Sequence, residues 1–222
     1  TNIIIVMKRI ITLIAAMFLL MVGNVDTISA QQLTKQQEKA LQKDVKKRVK
    51  ELKKAGWEPL ASTQTLDYAL LKYRTYIESD EDNRIPITGI AIGRNNKIGR
   101  ENAIHSGITS YAGRAKAQVV GKMKSVISSD ANNSSQEEID RFGAAYESGV
   151  NTRIAGLVKE HFVLVRTAKD GSKEYNVFMS IDETAARKAR EEAARKAKEQ
   201  ASLGELSEMV EEFIGEPVAP DE

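Results

Sequence analysis

The sequence has no cysteine among its 222 residues. This absence excludes disulfides, thiolate metal sites, thiol nucleophiles and the lipid-modified cysteine of a bacterial lipoprotein. Histidine is scarce, with two residues, and 33 Lys and Arg nearly balance 31 Asp and Glu, which does not indicate a nucleic-acid-binding protein. Phosphate-binding glycine loops, dinucleotide-binding glycine motifs and serine nucleophile elbows are also missing. We therefore expect a non-enzymatic protein with no cofactor and no metal site.

Apolar residues are abundant enough for a core. At 24.5 kDa the chain suffices for one ordinary domain with flanking helices, or for two small domains, and it is too small for a large multidomain enzyme. Hydrophobic residues make up 41% and charged residues 29%, which is typical of a globular protein.

The N-terminal segment has the three parts of a secretory signal peptide. A methionine, a lysine and an arginine at positions 7–9 precede an apolar run over residues 10–22, and the segment Ile28-Ser29-Ala30, which ends in two small residues, follows. This order predicts cleavage after Ala30. The apolar run is shorter than the roughly 20 residues that a membrane span needs, so we expect no retained transmembrane helix. We expect residues 1–30 to be the signal peptide, with residues 1–6 an upstream translation artefact.

The exported chain begins with a helical region, residues 31–80. Apolar residues at spacings of three and four over residues 33–55, with nine basic residues between them, predict an amphipathic basic helix. A second helix is predicted over residues 66–77, and an acidic loop follows it. Trp57, the sole tryptophan, lies between the helices, and a core anchor is favoured over an exposed platform for sugar stacking.

The central region, residues 81–182, combines helical and strand patterns. A strand is predicted over residues 87–92, and a long helix rich in small residues over 104–126 indicates close approach of a sheet or another helix. Periodicity over residues 139–157 fits a helix, with a strand as the alternative. Two β-rich runs, residues 162–166 and 175–181, flank an Asp-Gly pair and predict a hairpin, whose second strand has one apolar and one half-polar face.

The C-terminal region is predicted to be a charged, alanine-rich helical segment over residues 183–214 and a disordered tail over residues 215–222. The alanine stripe is typical either of a spacer or of a helix that pairs with another. The complete pattern predicts an α+β fold, in which a long helix packs on a small antiparallel sheet flanked by N- and C-terminal helices.

Three segments carry a family resemblance. They are the end of the long helix, Val126-Ile127-Ser128-Ser129, the tripeptide Asn151-Thr152-Arg153, and the predicted hairpin over residues 162–179. Together they resemble the LPP-twenty-like lipoprotein family over about residues 87–182. The resemblance implies a small α+β domain of a bacterial envelope protein and no catalytic residue set. The segment 56–60, Gly-Trp-Glu-Pro-Leu, is also similar to exported proteins of Bacteroides-type Gram-negative bacteria.

Basic residues form the one candidate binding surface. Outside the inner membrane the available anions are lipid and lipopolysaccharide phosphates and peptidoglycan carboxylates, near which clustered lysines concentrate. The alternative is a solvated helix face above an apolar stripe that packs on the domain or on a partner. The candidate binding residues are Lys43, Lys46, Lys47, Lys50, Lys54, Arg153 and Arg166.

Two functional hypotheses follow. The first is an exported scaffold or assembly component, periplasmic or associated with the outer membrane, whose partner is another envelope protein. The second is a periplasmic module that binds an anionic glycan or lipid head groups through the basic helix. Neither hypothesis involves nucleic acid. His105 and His161 lack predicted partners for zinc or acid–base chemistry, and each is interpreted as an ordinary surface or half-buried histidine.

Overall fold

The computed structural model describes residues 33–60, 64–127, 133–203 and 206–219. The predicted signal segment and the last three residues of the predicted tail lie outside these ranges. Within them the chain forms six helices and one four-stranded antiparallel sheet, which confirms the predicted α+β class. In chain order the elements are α1 (Lys35–Lys54), β1 (Glu58–Pro59), α2 (Leu66–Glu78), β2 (Arg84–Gly93), α3 (Asn96–Val126), α4 (Asn133–Ile154), β3 (Lys159–Thr167), β4 (Lys173–Asp182), α5 (Glu183–Ala201) and α6 (Ser207–Ile214).

The sheet has the strand order β1-β3-β4-β2. β3 and β4 form the predicted hairpin, in which Gly171 adopts a φ of +83° and Asp170 accepts a 3.0 Å hydrogen bond from the Ser172 N–H. β2 pairs with β4 along all ten of its residues. β1 pairs Glu58 with Val165 and was not predicted from the sequence, because two residues carry no strand periodicity.

Helices cover both faces of the sheet. Successive residues of a strand point to opposite faces, and both sets are buried on β4, with Val177 at 0% and Phe178 at 7% exposure. The face that the sequence marks as half polar lies under α1 and α2, and Trp57 belongs to this core, as predicted. Its buried members are Leu41, Val45, Val49, Leu52, Trp57, Leu66, Leu70, Tyr73, Ile77, Leu164 and Phe178. The helices α1 and α2 of the predicted N-terminal region therefore pack on the sheet of the region that follows them, and residues 33–222 cluster as one unit.

The opposite face carries α3, with α4 and α5 beyond it. α3 spans 31 residues and packs on β2 and β4, as the small residues of the predicted long helix indicated. The approach is so close that a Cβ added to Gly89 of β2 would lie 1.9 Å from the Ala103 carbonyl oxygen. The segment for which the sequence allows either a helix or a strand forms helix α4. Its apolar stripe is buried against α3 and α5.

The chain after Gly215 differs from the predicted disordered tail. Residues 215–219 pack against α3: Val218 is 3% exposed, and Gln118 donates a 3.2 Å hydrogen bond to the Pro217 carbonyl. Lys122 also forms an ion pair with Glu216. Residues 215–219 are held in place because Val218 fills an apolar position of the core, a contact that local composition does not reveal.

Candidate binding surface

The basic helix α1 has well-defined ends. Thr34 caps its N-terminus: the Thr34 Oγ1 accepts from the Gln37 N–H at 3.3 Å, and the Gln37 side chain accepts from the Thr34 N–H at 2.9 Å. At the other end Gly56 adopts a φ of +82°, a left-handed conformation that glycine accepts at low cost. The Thr34 cap and the Gly56 turn bound a single helix of 20 residues, and this helix carries the basic side chains.

The apolar side of α1 fixes its rotation. Leu41, Val45, Val49 and Leu52 are each between 3% and 5% exposed and pack in the core with α2. Each such side chain contributes about 1.5–3 kcal/mol when fully buried. Rotating the helix would expose this stripe, so the opposite side of α1 is held toward solvent.

Six lysines occupy that opposite side, and we call them the lysine stripe. At 100° per residue they fall within an arc of about 100° and extend about 22 Å along the helix axis. Every one of them is exposed, and none has an ion-pair partner among the described residues. The lysine stripe consists of Lys39, Lys43, Lys46, Lys47, Lys50 and Lys54.

Two of the three acidic residues of α1 are paired away from the lysine stripe. Asp44 accepts from Arg74 of α2 at 2.8 Å, and Glu51 accepts from Arg48 at 3.2 Å. Both carboxylates lie on the flank of the helix and are already paired there. With nine basic and three acidic side chains, α1 has a net charge of +6 within a chain of net charge +2. Positive charge is therefore concentrated on the solvent side of this one helix.

The two predicted arginines lie elsewhere. Arg166, on β3, forms an ion pair with Glu174 and places its guanidinium carbon 4.6 Å from the centre of the Trp57 ring. Arg153, on α4, donates to the Gly149 carbonyl at 3.0 Å and lies 3.5 Å from Glu192. The structure thus brings the five predicted lysines together and leaves both arginines in separate, charge-paired positions. It adds Lys39, which lies four residues before Lys43 and could have been found from helical spacing alone.

A buried polar cluster was not predicted. Arg190 of α5 is 1% exposed and donates to both carboxylate oxygens of Glu183, at 2.6 and 3.2 Å, and to the Tyr111 hydroxyl at 2.6 Å. The Arg190 Nη2 also donates a hydrogen bond to the Glu216 carbonyl, at 3.0 Å. Burial raises the pKa of Tyr111, so its phenol stays protonated at physiological pH. The cluster joins α3, α5 and the C-terminal segment, which is a structural role.

An open cleft of about 600 Å³ borders that segment. Glu81, Gln118, Lys122 and Val218 contribute to its walls. Within the described part of the chain, no group of His, Asp or Glu side chains could hold a metal ion. Among the charged side chains that line the cleft, none is a nucleophile paired with a base, so we assign no chemistry to the cleft.

His161 is held neutral by its surroundings. It lies at a register irregularity of β3, with Nε2 2.8 Å from the Ser180 Oγ and its ring 5.0 Å from that of Tyr73. Burial, assisted by the positive charges of Lys159 and Lys72, lowers its pKa from 6.5 to about 4. One hydroxyl of β4 and an aromatic ring of α2 hold the imidazole in place, so His161 is a packing residue, whereas His105 lies exposed on α3.

This pKa predicts acid-sensitive stability. Between pH 6.5 and about 4 the unfolded chain binds a proton at His161 that the folded chain rejects, so the free energy of unfolding should fall as pH decreases through that window. Because His161 is half-buried, we expect an effect on the order of 1 kcal/mol. Urea unfolding of wild type and His161→Asn at several pH values measures it. The matched variant His105→Asn, at the exposed histidine, controls for the loss of a histidine as such, and an unchanged profile in His161→Asn would contradict the assignment.

Neither a membrane-spanning helix nor a known relative identifies the function from the described residues and the sequence. No helix in the described ranges combines the length and apolar character needed to cross a bilayer. No family model matches the sequence, and no curated protein matches it either.

Proposed function

We propose that this protein is an exported, non-enzymatic component of the bacterial cell envelope that binds an anionic envelope component through the lysine stripe. The observation that carries the proposal is the separation of charge on α1. The six lysines of the stripe face solvent without ion-pair partners among the described residues, while Asp44 and Glu51 are paired on the flank. An exposed row of like charges on a rigid helix attracts anions more strongly than scattered charges do.

Two further features support this function. The signal-like N-terminal segment would deliver the domain to the periplasm or the outer membrane, where phosphates and carboxylates are abundant. The long helix on a small antiparallel sheet is the architecture that the LPP-twenty-like resemblance implies, and we propose kinship with those envelope proteins on that basis. Binding without catalysis is consistent with the structural, charge-paired position of the buried Arg190 and Glu183.

Co-sedimentation with isolated Gram-negative envelopes tests the binding function. The stripe variant combines Lys43→Gln, Lys47→Gln and Lys50→Gln, which preserve helix propensity. We expect wild type to sediment with envelopes at low salt, and both the stripe variant and high salt to reduce the bound fraction at least fivefold, because screening weakens contacts between exposed charges.

A matched control variant has the same net charge as the stripe variant. The scattered variant combines Lys173→Gln, Lys188→Gln and Lys196→Gln, three exposed lysines outside α1. It should bind envelopes within twofold of wild type. Equal losses in the two variants would show that total charge matters rather than the lysine stripe, and salt-resistant binding by both would overturn the electrostatic function.

Salt-resistant binding would instead favour a scaffold that contacts another envelope protein. Two exposed isoleucines favour this second function: Ile90 is 55% and Ile92 58% exposed on β2, an edge strand of the sheet. Large apolar side chains on an edge strand are typical of protein contacts. If this function holds, the double substitution Ile90→Lys and Ile92→Lys should abolish salt-resistant recovery of a defined partner, and the stripe variant should not.

Export makes its own prediction. Periplasmic protein from expressing cells should have a mass that corresponds to a chain starting at Gln31. The substitution Ala30→Trp places a bulky residue where the signal peptidase requires a small one, so the precursor should accumulate uncleaved. Intact-mass spectrometry of periplasmic and membrane fractions distinguishes the forms. Recovery of full-length wild type from the cytoplasmic fraction would contradict export.

A further inference from the structure

We infer that the lysine stripe is a site for a linear polyanion that lies along α1. This inference rests on the proposed function and specifies its ligand class. The lysine stripe is long and narrow: it extends about 22 Å along the axis and covers an arc of about 100°. An extended chain with regularly repeated negative charges matches that shape, whereas a small anion would meet one or two of its six lysines.

The spacing of the lysines suits a repeated charge. Along the helix the stripe advances in steps of three or four residues, from Lys39 to Lys43, on to Lys46 or Lys47, and then to Lys50 and Lys54. Each step rises roughly 4.5–6 Å. The capped ends and the buried apolar side of α1 fix this spacing before any ligand binds. A preformed row of charges loses little conformational entropy when a polymer binds, apart from that of the lysine side chains themselves.

The flanks of α1 argue against a flat membrane surface. Asp44 and Glu51 lie beside the lysine stripe, with side chains 53% and 49% exposed. A broad anionic surface would meet these carboxylates as well, whereas a narrow polymer would not. The apolar side of α1 is buried in the domain core and is not available for insertion into lipid, which amphipathic membrane-binding helices require.

The chemistry of lysine defines the ligand class by charge alone. An ammonium group is a compact point charge without the planar fork by which arginine recognises phosphate in two places. Acidic polysaccharides, which carry carboxylates, and polyphosphates therefore share the property that the lysine stripe would recognise, namely a line of closely spaced negative charges.

A length series distinguishes a polymer site from a small-anion site. The probes are oligogalacturonates from dimer to decamer, linear polyphosphate of graded length, and vesicles of neutral lipid with and without anionic phosphatidylglycerol. We expect affinity for at least one linear series to rise steeply with length and then level off once the chain spans the lysine stripe. The stripe variant should lose at least about tenfold in affinity for the long probes, and the scattered variant at most twofold.

Each outcome bears on one of the two claims. Saturating length dependence with selective loss in the stripe variant supports the inference, and the series that binds identifies carboxylate or phosphate as the source. Binding to anionic vesicles alone, or binding independent of probe length, overturns the linear-polymer inference and leaves the proposed anionic contact standing. No binding to any probe, together with no envelope co-sedimentation, overturns both. Circular dichroism of each variant confirms that α1 remains folded.

Discussion

Replacing Arg190 by methionine should lower the free energy of unfolding by about 3–5 kcal/mol. The guanidinium is buried and holds both carboxylate oxygens of Glu183. Methionine has similar length but no charge, so the Glu183 carboxylate would remain buried without its counter-ion. The Tyr111 hydroxyl and the Glu216 carbonyl would each lose a hydrogen bond as well. Urea unfolding followed by circular dichroism measures the change.

Two further variants separate this cause from general damage to α5. Arg187→Met changes an exposed arginine one turn earlier on the same helix and should cost less than about 0.5 kcal/mol. Adding Glu183→Gln to Arg190→Met removes the stranded charge and should recover part of the loss, since paired groups are not additive. A double variant as unstable as the sum of the single variants would contradict the ion-pair explanation.

Alanine at Gly89 is the second substitution with a large expected effect. The added Cβ would lie 1.9 Å from the Ala103 carbonyl oxygen and 2.6 Å from the Gly107 nitrogen. Both neighbours are backbone atoms of α3, so no side chain can rotate away, and the helix would have to separate from β2. We expect a loss of at least about 3 kcal/mol in unfolding free energy, at the upper end of the range for overpacked cores.

Gly121 provides the matched control for this prediction. It lies in α3, the helix against which Gly89 packs, and a Cβ there would meet nothing within 4 Å. Gly121→Ala should therefore raise the free energy of unfolding by about 0.5–1 kcal/mol through higher helix propensity. Opposite signs for the two alanine substitutions, measured by urea or thermal unfolding, are the expected result. A loss at Gly121 or a neutral effect at Gly89 would contradict the packing described for α3 and β2.

The sequence predicts this fold best where the signal is local. The Asp170-Gly171 turn, the alanine-rich α5 and the amphipathic α1 each follow from periodicity and turn chemistry within a single segment. β1 and the packed tail could not be predicted, because both depend on partners more than 95 residues away: Glu58 pairs with Val165, and Gln118 holds Pro217. Local composition is silent about such long-range contacts.

In the candidate site, too, local sequence signals predict some features and long-range packing determines the others. Helical spacing places the five predicted lysines on one side of α1, and the structure brings them together. Arg153 and Arg166 were grouped with them by charge alone, and the fold gives each arginine a carboxylate partner of its own. Arg190 looks like one of many charged residues in an exposed helix, yet it is buried, because α5 turns that side toward Tyr111 of α3. Sequence reveals which residues share a helix side, and tertiary packing decides what that side meets.

The central claim is that α1 contacts the anionic ligand, and backbone amide chemical shifts test it most directly. Isotopically labelled protein would be titrated with the longest polyanion probe, at low salt, while its assigned two-dimensional spectrum is recorded. We expect the largest shift changes along residues 39–54, reversed by salt and absent in the stripe variant. Changes centred on the cleft beside Val218 or on β2, with α1 unaffected, would contradict it.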